Sequence, residues 1–151
     1  MAELLRRPSG TSGKVHAITP ADAGWGYVGF ALYRLAPGES AAEATGGREA
    51  MLVLVEGRAD ILAAGARFGE LGSRMSVFEP QKPFSVYVPN GAEWRAVATT
   101  TCTLAVCTAP GRGGHEARVI APGDVPALTR GRGANTRHIH AIAMEESDVA
   151  D

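Results

Sequence analysis

Long apolar runs are missing from this chain of 151 residues. The longest, AMLVLV from Ala50 to Val55, is far short of the ~20 residues that a membrane-spanning helix needs, so no membrane partner is expected. The opening MAELLRRPSGTSG carries two arginines but no apolar stretch of about 7–15 residues, the mark of a secretory signal. A cytoplasmic location is therefore expected. Cysteine is scarce as well. Cys102 and Cys107 lie five apart in TTTCTLAVCTA, and an odd spacing along a strand points them to opposite faces, which excludes a bond between them. Both are expected to be small packing residues rather than redox or nucleophilic groups. Excess charge of one sign is also lacking. Fifteen Lys and Arg balance sixteen Asp and Glu, for a formal net charge of -1, so no global field favours nucleic acid.

Sustained helical periodicity is absent too: nothing between Tyr27 and Val119 keeps an apolar stripe for three turns. What is present instead is punctuation. Nineteen glycines and nine prolines separate short stretches rich in β-branched and aromatic residues, a pattern that predicts an all-β fold. The expected strands are YVGFALYRL, AMLVLVEG, ADILAA, MSVFE, FSVYV, EWRAVAT, TLAVCTA and EARVIA, with turns at APGES, ATGGRE, AAGARFGELGS, PQKP, PNGA and APGRGGH. About eight short strands suggest a closed or stacked sheet, with a jelly roll as the simplest arrangement. The length suits one domain with a real core. Residues 1–25 are expected to form an N-terminal extension, 26–121 the barrel, and 122–151 an irregular segment with a return strand.

The Pro37-Gly38 turn, Glu49, Gly57 and the later Pro89-Asn90-Gly91-Ala92-Glu93-Trp94 together resemble a cupin skeleton, a double-stranded β-helix, emptied of its metal ligands. Counting from the Pro37-Gly38 turn places Ala44 and Gly46 where a cupin has His-x-His, with Glu49 nearby and Gly57 closing the hairpin. In the second motif, Pro89-Asn90-Gly91-Ala92-Glu93-Trp94, the indole of Trp94 stands at the histidine position. A transition metal needs three or four N, O or S donors, which Glu49 alone does not supply, so no cofactor is expected in this chain. Trp94 is expected to fill the vacated space. Arg48 and Glu49 sit at a strand entrance, where an exposed ion pair is the commoner outcome and the lining of a barrel mouth the alternative.

The segments YVGFALYRLAPGES, REAMLVLVEGRADI, FGELGSRMSVFE, YVPNGAEW, LAVCTAPG, ARVIAPGDV and RGRGANTRHIHAI, in that order from about Tyr27 to Ile142, resemble the N-terminal half of the 5-deoxy-glucuronate isomerases of bacterial myo-inositol catabolism. That resemblance implies a bicupin that interconverts an aldose and a ketose form of a uronic acid, with the divalent metal held by a second, C-terminal barrel. Its implied partners are that second barrel or another copy of the chain, and a small sugar-acid substrate. The closing RHIHAIAMEESDVAD spaces His138, His140 and Glu145 like a metal motif, since residues two apart on a strand share a face. Context argues against that reading: no Pro-Gly turn leads in, and Gly133 lies only five positions ahead of His138. By the resemblance, Asn135-Thr136-Arg137 and the histidine at 140 recur. Arg137, whose planar fork suits a carboxylate, His140, Trp94 and Glu49 are thus the candidates for substrate or interdomain contact. Residues 1–151 alone are expected to be inactive, because isomerisation needs both a base and a metal. The rivals are a free-standing metal-free cupin that binds a small sugar acid, and a purely structural dimerisation barrel.

Overall fold

The computed structural model describes residues 5–144. Two antiparallel sheets make the body. In chain order the strands are β1 (Gly13–Ile18), β2 (Gly29–Leu35), β3 (Ser40–Ala44), β4 (Arg48–Glu56), β5 (Ala59–Ala63), β6 (Ala66–Leu71), β7 (Ser85–Val88), β8 (Glu93–Ala98), β9 (Cys102–Pro110), β10 (Arg118–Ile120), β11 (Ala127–Arg130) and β12 (Arg137–His140). The larger sheet runs β1-β2-β9-β4-β7-β10 and the smaller β3-β8-β5-β6, while β11 and β12 pair only with each other. A four-residue helix, α1 (Pro20–Ala23), links β1 to β2.

The core lies between the two sheets, and they contribute unequal side chains. The larger sheet supplies Tyr33, Leu35, Leu52, Leu54, Val86, Val88, Leu104 and Val106; the smaller supplies Ala41, Ala59, Ala63, Ala96 and Ala98, with Ile61 and Trp94 as its bulky members. Alternating large and small inward residues let a narrow barrel fill without voids. Each inward residue alternates with an outward one, as on β2, where Ala31, Tyr33 and Leu35 are buried and Arg34 is exposed. Gly57 ends β4 at φ 84°, and a Cβ there would lie 2.1 Å from the Thr101 carbonyl oxygen. Only glycine permits that approach.

Three departures from the sequence reading have physical causes. MSVFE is no strand. Its backbone is held in a loop by the Glu79 carboxylate accepting from Met75 N (3.0 Å) and by Arg74 donating to the Val55 and Gln81 carbonyls. With no neighbouring strand to cover them, Met75, Val77 and Phe78 stay exposed. Conversely, β3 forms between two expected turns, in a stretch not read as a strand, because it pairs with β8, and β6 forms inside a stretch read as a turn because the chain folds back across Ala64 and Gly65 onto β5. Residues 1–25, set apart as an extension, include β1, which pairs with β2 and buries Val15 completely. Cys102 and Cys107 do face opposite ways on β9, but only Cys102 packs in the core; Cys107 is exposed. Burial, with a smaller effect from Glu56, raises the Cys102 thiol to about 11, so it carries no thiolate near neutral pH.

Candidate functional site

At one end of the barrel the inward positions become polar. A cavity of about 250 Å3 opens there, between the ends of β3, β4, β8 and β9, and Ala17 to Pro20 form its roof. Strand pairing places Glu43 of β3 directly opposite Trp94 of β8. The Glu43 carboxylate accepts from the Tyr33 hydroxyl (2.7 Å) and from the Lys14 ammonium through the same oxygen. Lys14 also stands 5.6 Å from the Tyr33 ring centre, and Tyr33 meets Trp94 edge-on at 6.0 Å. Burial first, and then the hydrogen bond and charge of Glu43, hold the Tyr33 phenol well above the ordinary tyrosine range. It stays a proton donor in this network.

Arg48 occupies the other side of the cavity. Its Nε donates to Thr108 Oγ1 (3.0 Å), and its Nη2 to the carbonyls of Thr108 (3.0 Å) and Tyr27. The expected ion pair with Glu49 does not form, because neighbouring residues on a strand leave opposite faces. Arg48 turns into the barrel mouth, whereas Glu49 turns outward, is 6 % exposed, and accepts from the Tyr87 hydroxyl at 2.9 Å. Around Glu49 lies a second cavity of about 210 Å3, bounded by Val28, Met51, Tyr87, Cys107 and Ala143.

Of the two positions counted as emptied ligands, Ala44 is exposed at the cavity lining and Gly46 sits in a turn at φ 57° outside it; the polar groups beside Ala44 that line the cavity with Arg48 and Trp94 are Glu43 and Thr45. This donor set does not fit a divalent metal. Its one carboxylate is engaged by a lysine and a tyrosine, a guanidinium repels a cation, and an indole offers no lone pair. Among the described residues no group of three or more His, Cys, Asp and Glu could hold a metal ion.

The four candidates named from sequence fall in three places. Trp94, 2 % exposed, is part of the core and borders the barrel-mouth cavity; Glu49 lies on the outer face of the larger sheet. Arg137 and His140 are exposed on β12 and, three apart, point to opposite faces of the β11–β12 hairpin. His138 shares a face with His140 and meets Thr129 Oγ1 at 3.3 Å through Nδ1. Glu145 lies outside the described residues. The residues that build the mouth and that sequence reasoning missed are Lys14, Tyr33, Glu43 and Thr45. Strand alternation about Ala41 held a signal for Glu43, since both fall on one face of β3.

Sheet order, inward alternation and the mouth at one end define a cupin-like barrel. An oxalate decarboxylase of Bacillus subtilis shares this fold over 76% of the chain, at a TM-score of 0.54 and 13% identity. The chain belongs to the KduI/IolB family, whose model matches residues 4–151. It is 45% identical to a 5-deoxy-glucuronate isomerase of Geobacillus thermodenitrificans over 139 residues, which is 92% of this chain and 50% of that one. A 5-deoxy-glucuronate isomerase of Halalkalibacterium halodurans is 31% identical across the whole chain and 58% of its own length. The crystal structure of an IolB-like protein from Salmonella typhimurium superposes with a TM-score of 0.93 at 43% identity, covering 99% of this chain and 57% of that one. The chain thus spans about half the length of the curated relatives it matches. No helix among the described residues is long and apolar enough to cross a membrane.

Proposed function

We propose that this chain is the N-terminal cupin half of a 5-deoxy-glucuronate isomerase of inositol catabolism, acting in the cytoplasm, and that it serves as scaffold and docking partner for a second barrel carrying the divalent metal. The observation that carries the reading is the pairing of a whole-chain family match with relatives about twice as long. An aldose to ketose isomerisation moves a proton between adjacent carbons while a metal polarises the neighbouring oxygens. Neither part is supplied by the mouth of this barrel: the carboxylate of Glu43 already accepts two hydrogen bonds, and Tyr33 is held protonated.

The hairpin supports a docking role. Arg130 and Arg137 are directly opposite each other in register and both exposed, and like charges in that position repel. A carboxylate from a second barrel, or from the sugar acid, would relieve the repulsion. His140 on the other face and Glu49 beside Ala143 are the remaining contacts assigned to the partner barrel.

The test is an isomerase assay on 5-deoxy-glucuronate with added Mn or Zn, alone and with the C-terminal half of a Geobacillus relative supplied separately. The chain alone should give no turnover and bind metal far below one equivalent; the mixture should turn over. Turnover by the chain alone, abolished in His138→Ala or His140→Ala, would place the chemistry in this half and overturn the reading.

A further inference from the structure

We propose that the outer face of the larger sheet is the surface on which the second barrel packs, sheet against sheet, with a groove along β9 at its centre. This inference rests on the reading of the chain as one half of a two-barrel protein, and adds to the hairpin the face that carries most of the contact. An antiparallel sheet with one side in water alternates apolar and polar residues, whereas a strand buried on both sides carries a continuous apolar run. The run AMLVLV fills the middle of β4. Leu52 and Leu54 point into the barrel core, so Met51 and Val53 point away from it. Strand register extends that outward face over the neighbouring strands. Phe30, Cys107, Met51 and Tyr87 form one cross-strand row, and Leu32, Ala105, Val53 and Ser85 form the next. Both rows are apolar apart from two hydroxyls. Past the second row the side chains turn polar at Arg34, Thr103 and Glu56, where the Thr103 hydroxyl donates to Glu56 (3.0 Å). An apolar centre with a polar border is the anatomy of a protein interface.

The two halves of this face differ in cover. On β7, Ser85 and Tyr87 are buried, with His115 in edge contact with Tyr87 (6.0 Å). On β2, β9 and β4, Cys107 is exposed, and Phe30, Leu32, Met51 and Val53 are half-buried. Three observations assign the occupant of the open half. Ala143, just past β12, borders the 210 Å3 cavity together with Val28, Met51 and Cys107, so the chain leaving the hairpin is already laid on this face. The relatives are about twice as long as this chain. The shape fits a second sheet: on β9 the small Ala105 and Cys107 sit between larger residues of β2 and β4, which makes a groove running with the strands. Large apolar side chains from one strand of a sheet stacked about 10 Å away fill such a groove.

Cys107 is the reporter, because it lies in the groove and is exposed while Cys102 is buried. Its maleimide labelling would be timed by mass spectrometry of the peptide that carries it, in the chain alone and in one polypeptide where the C-terminal half of the Geobacillus thermodenitrificans relative follows Asp151. Labelling should be slower by about tenfold or more in the longer protein. Val53→Glu, in the middle of the face, should restore the rate of the chain alone. Val28→Glu, at a rim position that is 53 % exposed and outside the strands, should do the same, which keeps the test valid if the first variant fails to fold. Phe78→Ser, at a 95 % exposed apolar position in another part of the molecule, should leave Cys107 protected. Equal labelling of the two proteins overturns the proposal; turnover of 5-deoxy-glucuronate by the longer one alongside that result would keep the isomerase reading. Protection of Cys107 without turnover would support the face while the isomerase reading fails. The proposal is also overturned by protection that survives both glutamate variants, by protection lost in Phe78→Ser, or by protection in the chain alone that grows with concentration, which would make a second copy the occupant.

Discussion

The barrel mouth and the C-terminal hairpin hold the same kinds of side chain and treat them in opposite ways. At the mouth, Arg48 is fixed by three hydrogen bonds, and Lys14, Tyr33 and Glu43 interlock over a buried tryptophan. On the hairpin, Arg137, His138 and His140 stand exposed on a two-stranded ribbon that pairs with neither main sheet. The motif-like spacing lies in the second place and the preorganised polar groups in the first. What orders a polar side chain here is the arrival of partners from strands distant in sequence, which spacing along one strand does not reveal.

The largest effect should come from breaking the mouth at its base. Trp94→Ala removes a side chain that is 2 % exposed and in edge contact with Tyr33, and should cost about 3–5 kcal/mol of stability in urea unfolding. Arg137→Ala and His140→Ala, at exposed positions, should stay within about 0.5 kcal/mol of the parent. Equal losses at the two places would erase the distinction between them.

Tyr33→Phe sharpens the contrast at a smaller scale. It deletes the hydroxyl that donates to Glu43 but leaves Lys14 there, and should cost about 1 kcal/mol near neutral pH. The pH dependence carries a clear sign. The folded Tyr33 holds its proton above the ordinary value of 10.0, so above that pH the unfolded chain binds fewer protons than the native one, and stability falls as pH rises. The stabilisation is complete below pH 10.0 and is lost as pH climbs toward the folded value. Unfolding curves at rising alkaline pH should therefore converge between parent and Tyr33→Phe; a constant gap would mean that the phenol is not held protonated by its surroundings.

Where apolar alternation and strand partners agreed, the fold was legible in the sequence. The strands β2, β5, β7, β8 and β9 each carry a β-branched or aromatic residue on the buried face, β4 buries Leu52 and Leu54 there, and Trp94 could be read as the residue that fills an empty cupin site. The stretch SAAEA of β3 could not, because alanine and glutamate have little strand preference; it is a strand because β8 lies beside it. MSVFE failed for the converse reason, having the composition without a neighbour. The mouth was hidden by the same logic. Lys14 comes from β1, Tyr33 from β2, Glu43 from β3 and Arg48 from β4, and no local pattern joins four residues spread over 34 positions. The count from Pro37-Gly38 reached Ala44, which does line the cavity, but not its polar neighbours Glu43 and Thr45, because adjacent residues on a strand leave opposite faces.

The smallest effect should arise at the roof of the mouth, where Thr19 and Pro20 are held by a capping box. The Thr19 hydroxyl accepts from Asp22 N (3.2 Å), and the Asp22 carboxylate accepts from Thr19 N (3.2 Å) and from the Thr19 hydroxyl (2.6 Å). The hydrogen bonds from the Thr19 hydroxyl and backbone lower the Asp22 carboxyl below its ordinary value of 3.8. A depressed carboxyl favours the folded form above the unfolded value, and the contribution disappears as pH falls through the folded one. Asp22 is fully exposed, so global unfolding should barely register Asp22→Asn. Amide shifts of residues 19–24 should move in that variant, and in the parent as pH drops below 3.8, while those of Glu43, Arg48 and Trp94 stay in place. Movement of the deeper residues together with the roof would mean that α1 and the mouth form one cooperative unit, and the ordered interior would then depend on its lid as well as on its strands.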